Sequence, residues 1–562
     1  MDADKRTPEQ TRTQDGSWVA RLDFKALQER LPLLWPAPAD TPACPKKRFR
    51  SHYAYPGWDS LRDPAVWETI SFFELLLGLI DFNPLRAVLA QLLGWHNDRG
   101  WIAFDPVSIF LLKLWQLSNN WSRSQVVVAL KMPKYAELVQ QLGFTHHLPT
   151  EGGLRYIETS LGWHSEADGE VIAVQGEEGE PQQVAVQRLN ELIVQSVVLL
   201  QQAGLIDEEI WQRALLCPDG MLHHTASRLR CTSVNADCYE TVPRTCAAKE
   251  KDKQGCDCDQ LVCLEACRFA TPRDRLARFV WYSGSNGPKD NPNRPKHEQP
   301  EKQPRGKGVY GYRSLSLQLS DLKHRFNLTL LTDFQPANQP ELPFATAQLI
   351  QFPGYYPDMT VEWVAGDAAY GFEPFLHTIY NQLHARRLVD LRAHQTDANR
   401  SLWPIRGYDD KGRPICPFGY ALTSFGFDAQ HQRHKWVCEK ICQKGMDPRV
   451  QLSDTSYPPP ECPYQAAEHL HGKVLNVAEH FADGSIRLVR DVPVGSPTWK
   501  RFYHQARNAS EARNSFHKSL GLKRLPVYGL LRGKTTVFLA DVWRNLSTLA
   551  RLIREATLAQ AE

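Results

Sequence analysis

This chain of 562 residues predicts a mixed α/β protein with a helical N-terminal region. Three observations carry that expectation. Apolar residues recur at helical spacing from Trp67 to Leu161. Between residues 309 and 391, strand-like runs interleave with amphipathic helical ones, the pattern of a mixed sheet. A basic amphipathic helix then lies at Ser496–Leu520.

Composition sets the frame. Hydrophobic residues make up 42% of the chain, so it is globular rather than disordered. A net charge of +3 says little about partners, but its uneven distribution does. The opening, MDADKRTPEQTRTQDG, is too polar for a signal peptide. The apolar run Phe72–Ile80 is broken by Glu74 and too short to span a bilayer. The expectation is a soluble, cytoplasmic protein with no membrane partner. Thirteen cysteines in so large a chain then suggest reduced thiols and metal sites rather than disulfides.

Residues 1–65, with scattered prolines and little periodicity, read as a loose arm. Residues 66–165 form a helical domain, broken at Asp81–Pro84, Asp105–Pro106 and Met132–Pro133. It has the segmentation of a DNA-binding helix-turn-helix, or equally of a helical cap that never meets DNA. Glu166–Glu180 is acidic and contains glycine, so it reads as a linker. A helix over Val184–Gln202 follows, and then a short buried strand from Ala214 that ends in Asp219.

Cysteines crowd residues 231–267, and the Pro-, Lys- and Gly-rich run at 283–308 reads as a mobile basic loop. Val309–Leu319 and Asn327–Phe334 have the alternation of a hairpin. A helix at Pro343–Phe352, a strand ending at Gly366–Asp367, a helix at Phe372–His384 and a strand at Arg387–Leu391 complete the sheet region. Near the end, the apolar spacing of Val537–Ala556 predicts a packing helix.

The helix at Ser496–Leu520 opens with Ser-Pro, an N-cap followed by proline in the first turn. Phe502, Ala506, Ala509, Phe516 and Leu520 form its apolar stripe, opposite Lys500, His504, Arg507, Glu511 and Lys518. Between Thr498 and Lys534, Glu511 is the only acid among many bases. That is either a solvated face with one Arg507–Glu511 pair, or a metal-binding carboxylate set among phosphate-binding cations. Asp219 and Asp367 each follow an apolar strand beside a glycine, where ligands of α/β sheets collect. With Glu511 they would make an oxygen-rich site for Mg²⁺. Two such ions can activate water and stabilise a leaving 3′ oxygen.

The segments CPDGMLHHTASRLRC around Asp219, AGDAAYG around Asp367, and Arg507-NAS-Glu511 followed by Lys518 resemble the signature blocks of bacterial insertion-sequence DDE transposases. The last block is similar to their YREK group, with His504 where the tyrosine would stand and Tyr503 one residue early. The N-terminal segment LLLGLIDFNPLRAVLAQLL resembles the helical domain of those enzymes. The resemblance covers roughly residues 65–555, the Cys-rich parts least.

It implies an α/β fold with a ribonuclease-H-like catalytic core, split between residues 184–395 and 496–562 around a Cys-rich insertion at 396–495. Asp219, Asp367 and Glu511 would be catalytic and would bind two Mg²⁺ ions, for which Mn²⁺ can substitute. Arg507 and Lys518 would hold DNA phosphates, with His504 beside them. Tyr370, in the family's Asp-x-x-Tyr pattern, would stack on or hydrogen-bond DNA, unless it is a core tyrosine. The partners implied are double-stranded DNA, as element ends and as target, and a second subunit.

Within the insertion, Cys416, Cys438, Cys442 and Cys462 in a Pro- and Gly-rich module suggest a structural Zn²⁺ site, against the alternative of reduced thiols. The upstream cysteines could form a second site. The function expected is DNA cleavage and strand transfer at the ends of an insertion sequence. Its rivals are a metal-dependent nuclease without strand transfer and a DNA-binding zinc protein with a vestigial triad.

Overall fold

The computed structural model describes the chain apart from residues 1–9, 13–17 and 21–23, the stretches 96–103, 228–273, 283–306, 322–326, 390–406, 441–469 and 479–496, and short gaps at 46–47, 62–63, 168–169, 177–179, 207, 409–412, 417–418, 432 and 562. The upstream cysteines, most of the basic loop and the Ser496 cap lie outside the described residues.

Six strands form the central sheet: β1 (Ala214–His224), β2 (Arg278–Tyr282), β3 (Lys307–Ser320), β4 (Asn327–Pro336), β5 (Val361–Gly366) and β6 (Arg386–Val389). The order across it is β4-β3-β1-β5-β6, with β2 paired to the outer part of β3. The strands β1, β3 and β4 are antiparallel, as the alternating hairpin sequence predicts. In contrast, β5 and β6 run parallel to β1. The sheet is therefore mixed, as expected of this α/β chain.

One strand differs from expectation. Asp219 does not end β1, which continues to His224 because β3 accompanies it in register as far as Gly311. On its other side β1 pairs with β5 only from Ala214 to Leu216. Asp219 thus stands where the two parallel strands part, a strand-end environment on one edge only.

Helix α1 (Glu151–Ala167) packs against the last helix of the chain, and α2 (Asn190–Gln202), α3 (Leu342–Tyr355), α4 (Glu373–Asn381), α5 (Pro497–Ser519) and α6 (Leu530–Ala561) cover the sheet. The N-terminal region is helical as predicted, and it breaks at the predicted places. Ser71 caps Phe72–Leu79 in a capping box with Glu74, and Asp105 caps Pro106–Ser118 through the Val107 N–H. It is not a free-standing domain, because its leucines share one apolar cluster with the sheet and with Val537, Val542 and Leu546 of α6. Among the described residues, no helix is long and apolar enough to cross a membrane.

Three further expectations are corrected. The loose arm contains packed residues: Leu27, Leu33 and Trp35 are buried, and the Trp35 indole N–H donates to Gln195 at 2.6 Å. The acidic linker expected at 166–180 is in part regular structure: residues 166–167 close α1, and Val171–Gln175 pairs antiparallel with Pro181–Ala185. The helix expected from Val184 starts only at Asn190, because Val184 belongs to that hairpin and is buried there. Inside the insertion, Thr423–Asp428, Arg433–Val437 and Val474–Ala478 form a separate antiparallel sheet.

A buried polar network locks α5 and α6 to the sheet. Asp541 accepts from Arg513 at 3.0 and 2.6 Å, and from Thr329 and Thr332 at 3.2 and 2.8 Å; His517 lies 2.9 Å away. Burial pushes the Asp541 carboxyl up, but Arg513 and His517 outweigh it and hold it far below the usual range. Burial, followed by nearby positive charge, lowers His223 to about 3 and His517 to about 4.

Asp541→Asn, which strands a buried guanidinium, should cost about 3–5 kcal/mol in denaturant unfolding. Thermal stability should fall as pH drops from about 6.5, where unfolded histidines protonate, towards 4. The loss per folded-state histidine that refuses its proton is roughly 1.4 kcal/mol per pH unit. His223→Gln should remove part of that slope.

Candidate active site

The helix α5 is set down on the sheet by a small apolar cluster: Leu215 and Cys217 of β1, Trp363 and Ala365 of β5, Leu388 of β6, and Tyr503 and Ala506 of the helix. Phe502 stacks on Trp363 with ring centroids 5.0 Å apart. The buried face of α5 continues through Ala509, Ser510, Arg513, His517 and Leu520. This face is rotated from the stripe expected from sequence. Phe502 and Phe516 are only half-buried, whereas Arg513 and His517 are sealed, with Asp541 pairing the Arg513 guanidinium and lying 2.9 Å from His517 Nε2.

That rotation carries Arg507 and Glu511 over the parting of β1 and β5. The Arg507 guanidinium gathers all three expected catalytic acids. Its Nη1 lies 3.9 Å from Asp219 Oδ1 and 3.7 Å from Asp367 Oδ2, and its Nη2 lies 3.5 Å from Glu511 Oε1. A residue of one strand, one that follows another strand and one on a distant helix therefore meet at one guanidinium. Asp219 also accepts from Asn514 Nδ2 at 2.9 Å, and the other end of that amide, Oδ1, is sealed from solvent with no partner among the described residues. Asp367 caps its own turn by accepting from the Ala369 N–H at 2.9 Å.

The electrostatics are unbalanced. Burial raises the Asp219 carboxyl to about 6, because it outweighs the pull of Arg507 while Glu341 and Asp367 push the same way. Arg507 is itself held more basic, since Asp219, Tyr503 and Asp367 outweigh its own desolvation. The site still holds more negative charge than one guanidinium relieves.

Hard carboxylate oxygens with an unmet need for positive charge fit a divalent cation of the Mg²⁺ type. As they stand, no three His, Cys, Asp or Glu side chains among the described residues converge on one ion, because the acids face Arg507 instead. A divalent cation held there would have to displace this guanidinium from the same oxygens.

His504 and Lys518 are exposed on α5, as a nucleic-acid contact requires. Tyr370 is placed otherwise than the DNA contact expected of it. It is only 1% exposed, tilted against Phe375, and its hydroxyl donates to Glu341 Oε2 at 3.2 Å. In this conformation it is a core tyrosine with no face for a base. Of the expected zinc ligands, Cys416 is buried in a turn closed by the Gly419 N–H, and Cys438 lies at the end of its strand. Cys442 and Cys462 lie outside the described residues.

Sequence reasoning missed Asn514 and Glu341. Asn514 sits three residues beyond Glu511, a spacing that keeps it on the same side of the helix. Glu341 gave no signal at all.

No family model and no curated protein matches this chain. Among solved structures, a cryo-EM structure of a piggyBac transposase synaptic complex with hairpin DNA superposes over 89% of this chain and 76% of that chain, with a TM-score of 0.30 and 10% identity. So loose a superposition carries no argument about this chain.

Arg507→Gln should lower stability at pH 8 by on the order of 1 kcal/mol, since it leaves the acids facing one another. The loss should shrink at pH 5, where Asp219 binds a proton, and millimolar Mg²⁺ should restore the variant at pH 8. Urea unfolding at the two pH values checks both points.

Proposed function

We propose that this protein is a DDE-type DNA transposase that cleaves and rejoins DNA at the ends of its own insertion sequence. The observation that carries the reading is the meeting of Asp219, Asp367 and Glu511, far apart in sequence, around one cation. The sheet supports it: three antiparallel strands extended by two parallel ones, with an acid on the first strand, one after the fourth in sheet order and one on a covering helix, suit a ribonuclease-H-like core.

Asp219, Asp367 and Glu511 would hold two Mg²⁺ or Mn²⁺ ions, which when bound supply an activated water and charge neutralisation at the leaving 3′ oxygen. The chain's own residues do the rest. Arg507, whose planar fork suits phosphate as well as carboxylate, turns from the acids to the phosphodiester when cations replace it. Lys518 and His504 hold the backbone on either side of it along α5, contacts that position the strand without reading its sequence. Asn514 keeps Asp219 aimed. In the first step water adds to phosphorus and the 3′ oxygen leaves with a proton. In the second, that 3′-hydroxyl attacks a target phosphodiester, so one ester bond is exchanged for another.

The active complex would be a homodimer bridging two double-stranded ends in the bacterial cytoplasm. Cys416, Cys438, Cys442 and Cys462 would fix the insertion around a structural Zn²⁺.

One rival draws on the same geometry. A triad neutralised permanently by Arg507 suits a DNA-binding zinc protein that has lost catalysis. The two separate with Mn²⁺ and DNA carrying the sequences that flank the gene. The transposase reading expects Glu511→Ala to abolish cleavage, at least a hundredfold, with DNA retention in gel shift unchanged. No cleavage by the parent protein would favour the binding module. With a pre-cut end bearing a free 3′-hydroxyl, joined product is expected; its absence alongside cleavage would leave only a nuclease.

A further inference from the structure

Folding sorts the cations of α5 and of the segment after it into two kinds. Arg513 and Lys534 are sealed in the core. Lys518, Lys523 and Arg524 are exposed, and among the described residues no carboxylate pairs with any of them. Lys523 and Arg524 stand on the connection between α5 and α6, which β1 holds in place. The His224 N–H donates to the Lys523 carbonyl at 2.9 Å, and the Leu525 N–H donates to the His224 carbonyl at 2.8 Å. His224 lies five residues beyond Asp219 on the same strand, about 17 Å at the rise of an antiparallel strand.

Past this connection the row of cations reaches a notch between α1 and the start of α6, lined by Gly152, Arg155, Tyr156, Thr159 and Arg532. The two helices approach closely because residue 162 is glycine: a Cβ there would lie 2.6 Å from the Leu531 carbonyl oxygen. Two arginines line the notch, and no carboxylate among the described residues pairs with either. The Arg532 guanidinium stands 4.4 Å from the centre of the Tyr528 ring. Such stacking fixes the plane of the fork and leaves its N–H edge for an oxyanion. On α1, Arg155, Tyr156, Thr159 and Trp163 share one exposed stripe at helical spacing, with the two rings 61% and 60% exposed. Large rings left in water beside unpaired arginines suit a partner that offers anionic and apolar groups together. A nucleic-acid backbone alternates the two, phosphate with sugar.

We propose that the notch of Arg155 and Arg532 binds a phosphodiester of double-stranded DNA, on the stretch that continues from the active site past Lys518, Lys523 and Arg524. This rests on the reading of DNA as the substrate, and it assigns the substrate a contact outside all the signature blocks. An acidic protein surface would also meet the two arginines, but it gives no reason for unpaired cations to run from the active helix along the end of β1 to the notch. The contact positions the duplex without reading its sequence. Tyr156 adds ring surface against the sugar beside that phosphate.

The test is binding of the full chain to duplex DNA carrying the sequences that flank the gene, read by fluorescence anisotropy between about 50 and 200 mM salt. Arg155→Gln and Arg532→Gln should each weaken binding and make the fall of log affinity with log salt shallower by about 0.9, one phosphate's share. Arg155→Lys should keep the parental slope. Tyr156→Ala should weaken binding with the slope unchanged, since it removes no charge. Parental affinity and slope in both glutamine variants would overturn the proposal and leave the enzymatic reading standing; if sedimentation shows their oligomeric state altered, the face belongs to a second copy of the chain instead. Calorimetric binding of inorganic phosphate that Arg155→Gln abolishes, beside an unchanged DNA slope, would overturn it in favour of a small-anion site. No DNA binding by the parent protein would overturn both readings. Circular dichroism separates a folding defect in Arg532→Gln from a binding one, and the exposed Arg155→Gln then decides.

Discussion

The carboxylate of Asp541 governs where the active helix lies. It sits sealed in α6 and takes hydrogen bonds from the Arg513 guanidinium on α5 and from two threonines of β4. A buried charge pair of this kind adds little net stability over an apolar pair, but breaking it leaves an uncompensated ion in a dry interior. Its effect here is on geometry. With Arg513 and His517 turned inward to Asp541, Arg507 and Glu511 come to lie over the gap between β1 and β5.

At that gap three carboxylates meet one guanidinium, and on the proposed reading a divalent cation would compete with it. Three carboxylates share Arg507, while buried Asp219 still holds its proton up to about 6. Such a site is poised rather than neutral. The guanidinium suppresses repulsion among the acids, and it is also the group best shaped to grip a phosphodiester. One residue can therefore serve the acids before substrate arrives and the substrate afterwards.

Much of this was legible in the sequence where a single physical rule governs. The hairpin β3–β4 followed from strict alternation, the N-terminal helices from their apolar spacing and proline breaks, and the three acids from their glycine-flanked strands and the lone acid of a basic helix. What escaped depended on tertiary context. The rotation of α5 could not be read, because Arg513 and His517 look like surface residues until Asp541 is seen beside them. The full length of β1 depends on β3 as a partner, and the packed N-terminal segment on Gln195 receiving Trp35. Glu341 is an ordinary glutamate in a turn until folding lays it across Gly220. Tyr370 was placed in the right neighbourhood, but its hydroxyl meets Glu341 within the core.

The most direct measurement is a crystal structure of the full chain soaked in Mn²⁺, with anomalous scattering used to locate the ions. The account predicts anomalous peaks between Asp219 and Asp367 and beside Glu511, with the Arg507 guanidinium displaced from all three carboxylates. Arg507 still seated among them, with no Mn²⁺ at millimolar concentration, would contradict it.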